Sequence, residues 1–218
     1  MNTIEREKKF EKINRGCVIF YFLFSFVLIA VYAVQRDGYH LGISLGTLIV
    51  PPAICLFYRV FRLKRVRQLD ALILAFTFLA YPLGSCLDLY RILPGFDKVA
   101  HTLSGVFVSI LCLILFYALK PGHRIERQDF PLAAMFTFLG SMAVAGLWEI
   151  GEYLASMVVG LDLQRVALTG VSDSMQDMIV CMAGTLATLP FVKRLTDGKA
   201  DLITGAVTAF VEINLGKE

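Results

Sequence analysis

Six acids and one histidine, Asp88, Asp97, His101, Glu149, Glu152, Asp173 and Asp177, interrupt otherwise apolar stretches of this chain. An ionisable side chain deep in a bilayer costs on the order of 3 kcal/mol on insertion scales, so a group of them within apolar runs marks a functional site by default. Asp97 with His101 and Asp173 with Asp177 are spaced i, i+4, and Glu149 with Glu152 i, i+3. On helices each pair therefore shares one face. One imidazole with several carboxylates is a mixed ligand set suited to Zn, Mn or Fe, and an oxygen-only subset suits Mg or Ca. Asp97, His101, Glu149, Asp173 and Asp177 are accordingly the candidate metal ligands. Glu149 and Glu152 are the candidate general bases toward a metal-activated water. Protons, Lys98, Arg91 and Arg165 are the other charges able to compensate such a cluster.

Some of these residues also have simpler readings. Asp97 follows Pro94-Gly95 and Asp173 follows Thr169-Gly170, positions suited to capping the helices that begin there. That reading does not extend to His101, Glu149 or Asp177, which fall inside helices. Asp88 stands three residues before Arg91 and is placed to pair with it. His40 reads as interfacial and His123 as solvated.

The elements that must position these groups follow from composition. The 218 residues are 57% apolar and 18% charged, with a mean hydropathy of +0.67, whereas a soluble domain averages about 25% charged. Runs long enough to cross ~30 Å of hydrocarbon occur six times: Cys17 to Val34, Tyr39 to Tyr58, Leu69 to Leu89, Phe96 to Leu119, Pro131 to Gly160 and Asp173 to Val192. The expectation is an all-α bundle of six transmembrane helices with short connections (17–192), a basic leader (1–16) and a tail (193–218). The tail repeats Leu202, Ile203, Ala206, Val207, Phe210 and Val211 on one helical face and is expected to dock on the bundle. Val31-Tyr32-Ala33 loosely fits a signal-peptidase site, but the apolar run exceeds a usual signal, so the first helix is read as retained.

Basic residues alternate with the spans. The leader, the second and fourth connections and the tail hold 17 of the 21 Lys and Arg, and the other segments only Arg36, Arg91, Lys98 and Arg165. The excess of cations on cytoplasmic segments puts both termini in the cytoplasm and all seven polar groups at the outer leaflet. Trp148, Tyr153, Tyr90 and Tyr39 lie at the same level as an aromatic belt. The expected partner is the lipid bilayer, and nucleic acid is excluded. Pro51-Pro52 should kink the second span, Pro82 with Gly84 should disturb the third, and Pro190 should help end the sixth. Gly42-x-x-x-Gly46 invites close helix approach. The five cysteines, one per span, read as packing residues, with Cys86 the one placed for reactivity.

Three ordered motifs in the C-terminal half, Phe96-Asp97-Lys98-Val99-Ala100-His101-Thr102-Leu103-Ser104-Gly105, Trp148-Glu149-Ile150-Gly151-Glu152 and Asp173-Ser174-Met175-Gln176-Asp177-Met178 followed by Gly184, resemble the YjdF-like family of uncharacterised bacterial inner-membrane proteins. The similarity extends more distantly to VanZ-like proteins, associated with teicoplanin resistance. The resemblance implies a bacterial inner-membrane location and Asp97, His101, Glu149, Glu152, Asp173 and Asp177 as the polar signature. Relatives commonly flank the last acidic pair with tryptophans, where this chain has Ser172 and Met175. Three functions compete: metal-assisted hydrolysis or transfer on a lipid or envelope precursor, proton or cation binding in a transporter, and a non-catalytic membrane accessory role.

Overall fold

The computed structural model describes residues 3–160, 164, 170–199 and 201–216; Arg165 and Lys217, counted above, lie outside them. The described chain is helical, and six of its helices are long and apolar enough to cross a membrane. Two compact units make up the fold, Met1–Phe96 with Thr208–Glu218, and Asp97–Val207.

In the first unit α1 (Thr3–Gln35) runs unbroken from the basic leader through the first apolar run. The leader is anchored as well as helical. Asn14 is buried and donates to Asp70 Oδ2 at 3.2 Å, and Glu7 accepts from the amides of Arg67 and Gln68 at 2.6 and 3.3 Å. Those amides open α4 (Arg67–Phe78), whose own N-cap, Val66, has no side-chain acceptor, so a carboxylate from α1 satisfies them. The second span is two helices, α2 (Gly38–Thr47) and α3 (Val50–Val60), broken before Pro51-Pro52. Asp37 caps α2: it accepts the His40 amide at 3.0 Å and meets the His40 ring at 2.7 Å. The backbone bond from His40, with the ring beside it, holds the Asp37 carboxyl below its ordinary range.

Pro82 cannot donate to the Phe78 carbonyl, and from Leu79 to Cys86 α4 continues as wider π-type turns, closed by Leu87 N to Pro82 O at 3.1 Å. Tyr81 from this segment donates to Ile43 O at 2.8 Å and its hydroxyl fills the space beside Gly46. Gly42 has open space around it. Cys86 is fully buried, in keeping with its reading as a packing residue, while Cys55 is exposed. Asp88 adopts the left-handed conformation (φ 59°) before the short α5 (Leu89–Ile92) and pairs with Arg91 at 3.5 Å.

The second unit contains α6 (Phe96–Leu119), a 3₁₀ turn (Arg127–Asp129), α7 (Phe130–Val159) and α8 (Ser172–Thr196). Pro190 does not end α8, which continues to Thr196; in an apolar, packed setting neighbouring groups tolerate the missing donor. His123, read as solvated, is partly buried with its ring nitrogen 2.9 Å from Tyr117 O. Beside it Lys120 binds Glu126 at 2.9 Å and Asp129 at 2.7 Å. The tail forms α9 (Gly205–Phe210) and a π-type turn (Val211–Leu215). Ala206, Val207, Phe210 and Val211 are buried as the periodicity requires, whereas Leu202 is exposed.

Candidate functional site

The N-terminal turns of α6 and α8 carry Asp97 and Asp173, where the helix dipole favours an acid. Asp173 is not the cap of α8, whose N-cap is Val171 with no side-chain cap bond, and both carboxylates turn to the Lys98 ammonium. Lys98 Nζ lies 2.7 Å from Asp173 Oδ1, 2.7 Å from Asp177 Oδ1 and 3.4 Å from Asp97 Oδ2. It also donates to the Asp173 carbonyl at 3.3 Å. One ammonium of α6 thus reaches two carboxylates of α8, Asp173 and Asp177, and the Asp97 carboxylate of its own helix.

His101, one turn along from Asp97, adds its ring to the same group. Its Nε2 is 3.5 Å from Asp97 Oδ1 and 3.8 Å from Asp177 Oδ1. Asp97, His101 and Asp177 each offer a ligand atom within 4.8 Å of the others. A tetrahedral ion with ligand bonds of ~2.1 Å spaces its ligand atoms ~3.4 Å apart, so the His101 distances fit two edges of such a site. Asp173 joins this triad through Lys98. With Lys98 charged and His101 neutral, the described residues of the group, three carboxylates against one ammonium, leave a formal charge of −2. The Asp177 side chain is only 6% exposed, and an uncompensated charge there costs several kcal/mol, so the group favours a further cation or protons.

The glutamates of α7 divide. Glu152 is half-buried, one turn beyond Glu149 on α7, and is not among the ligand atoms gathered within 4.8 Å. Glu149 is buried and engaged elsewhere: Gln164 donates to its carbonyl at 3.0 Å, to its Oε2 at 3.3 Å and to Ser174 Oγ at 3.2 Å. Its Oε1 has no hydrogen-bond partner among the described residues. Asp88 belongs to the first unit, with Arg91 as its partner.

Two glycines set the distance across which these groups meet. A methyl on Gly105 would overlap the Cys181 carbonyl, and one on Gly184 the Thr102 carbonyl, so α6 and α8 cross backbone to backbone. Gly105 lies four residues from His101, and Cys181 and Gly184 four and seven from Asp177, so the crossing and the ligands share the same helix faces. Thr185 donates to Cys181 O at 3.0 Å and meets Ser141 of α7 at 2.7 Å, joining the third helix at that level. Sequence spacing alone showed neither this crossing nor the role of Gln164; small residues at i+4 and i+7 from the ligands were the available signal.

No curated protein and no solved structure matches the chain significantly. A family described as "Predicted membrane protein (DUF2238)" matches residues 15–198, which include every residue of this cluster, and the chain belongs to that family.

Proposed function

We propose that this membrane protein binds a divalent cation, Zn, Mn or Mg, through Asp97, His101 and Asp177, and that the site faces outward with both termini in the cytoplasm. The observation that carries the reading is the triad of ligand atoms within 4.8 Å of one another, in a group whose one ammonium among the described residues leaves an excess of negative charge. Asp173 is the carboxylate that retains Lys98 when the triad is engaged by an ion. A bound ion would supply Lewis acidity toward water or a phosphoryl or carbonyl oxygen. Glu152 is the group left to accept a proton there, and a lipid or envelope precursor is the substrate class that reaches such a position from the bilayer. The segregation of 17 basic residues onto alternate segments supports the orientation. The resemblance of the three motifs to YjdF-like proteins supports a bacterial inner-membrane location.

Thermal melting in detergent tests the reading. After chelator treatment, one of the three ions should raise the melting temperature; a ligand at 100 times its Kd stabilises by about 2.7 kcal/mol. The gain should weaken as pH falls, because ligation expels protons. Melting that is identical with chelator and with each ion would leave the cluster as an ion-paired tie between α6 and α8.

A further inference from the structure

The first unit contains a cavity of about 230 Å³ lined by Val18 and Phe22 of α1, Pro51, Pro52, Ile54 and Cys55 of α3, and by Arg65 and Leu74. Its walls are apolar except for one guanidinium. Arg65 holds the fully buried Asp70 Oδ2 with Nε and Nη2, at 2.9 and 2.7 Å, and turns Nη1 toward Cys55 Sγ at 3.3 Å. The cavity therefore ends against a fixed positive group at the α3–α4 connection.

That connection carries a surplus of charge. From Arg59 to Arg67 there are five basic residues and no acid. Arg65 is neutralised by Asp70, and Glu7 is committed to the backbone amides that open α4. Among the described residues Arg59, Arg62 and Lys64 are exposed and enter no ion pair. Arg15, also exposed, lies three residues before Val18 and seven before Phe22, on the same face of α1 as those two cavity residues. Cations thus flank one end of an apolar cavity on a helix pair built to lie in a bilayer. Cationic clusters at the end of a membrane helix attract anionic headgroups, and guanidinium groups suit phosphate.

We propose that this cavity seats an acyl chain of an anionic phospholipid from the leaflet next to the basic connection, with its phosphate held by Arg59, Arg62 and Lys64. Half-buried Val18 and Phe22 and exposed Pro52 and Cys55 make the rim that a chain enters from the side. The site is independent of the Asp97–His101–Asp177 triad and of any ion bound there.

Native mass spectrometry of the full chain, released from detergent with graded phosphatidylglycerol or phosphatidylcholine of identical chains, tests this. The first phosphatidylglycerol should bind about 10- to 100-fold more tightly than phosphatidylcholine, given the contribution of each nearby Lys or Arg. The triple variant Arg59→Gln/Arg62→Asn/Lys64→Gln should lose that preference while melting like wild type without lipid. Asn is used at 62 because that residue has φ 54°, which Asn tolerates. Cys55→Phe, which fills the cavity from its rim, should weaken phosphatidylglycerol binding several-fold, and glycerol 3-phosphate should not compete at comparable concentration. Equal binding of the two lipids, a preference that survives the triple variant, indifference to Cys55→Phe, or effective competition by glycerol 3-phosphate would each overturn the proposal.

Discussion

Lys98 is the residue on which the charge of the cluster turns. Among the described residues it is the one ammonium that meets these three carboxylates, and it is itself 24% exposed. Breaking a fully buried ion pair costs 3–5 kcal/mol, and partial exposure reduces this, so Lys98→Met should cost about 1–3 kcal/mol in metal-free protein. Because the same substitution frees Asp177 Oδ1, added divalent ion should recover more stability in Lys98→Met than in wild type. An equal or smaller recovery would show that Lys98 and the ion do not share ligands. At this scale the sequence was legible in part. The i, i+4 spacings put Asp97 with His101, and the structure brings them together at 3.5 Å. It does not show Glu149 among the close ligand atoms, because that carboxylate turns to Gln164, across a connection whose course no periodicity predicts.

Among elements, the α6–α8 crossing carries the argument. A methyl at Gly105 or Gly184 must push two backbones apart, since each would meet a carbonyl rather than a flexible side chain. Overpacking of this kind costs typically 1–3 kcal/mol. Gly105→Ala and Gly184→Ala should each lower the melting temperature and blunt ion-dependent stabilisation, while Gly146→Ala, with open space around it, should change neither. The connection after α6 makes a separate pH prediction. Hydrogen bonding to Lys120 lowers the Glu126 carboxyl from its ordinary value near 4.5. Burial opposes protonation of Lys120, but bonds to Asp129 and Glu126 prevail and raise it. A depressed carboxyl contributes stability that is full above its unfolded value and is lost as pH falls through the folded one. Melting scans below pH 4.5 should therefore show a decline in wild type that is reduced in Glu126→Gln; identical acid limbs would contradict the pairing. Apolar run length and prolines made the six spans and the break before Pro51 readable. The passage of α8 through Pro190 was not, because tertiary surroundings decide whether a lost donor ends a helix.

For the whole molecule the distribution of basic residues predicts the orientation. In a background lacking the five cysteines, Ser172→Cys should react with an impermeant maleimide from outside and Arg124→Cys only after permeabilisation. Both positions are exposed, and Arg124 is preferable to Gly122, whose φ of 76° would strain a side chain. The reverse pattern would move the acidic cluster to the cytoplasmic face and remove the envelope-side substrate class. The most direct test of the central claim is the metal content of protein purified in detergent without chelator. Wild type and Asp88→Asn should carry about one Zn, Mn or Mg per chain, and His101→Ala and Asp177→Asn should carry none above background. Wild-type protein that holds no ion and takes up none of the three when supplied would contradict it.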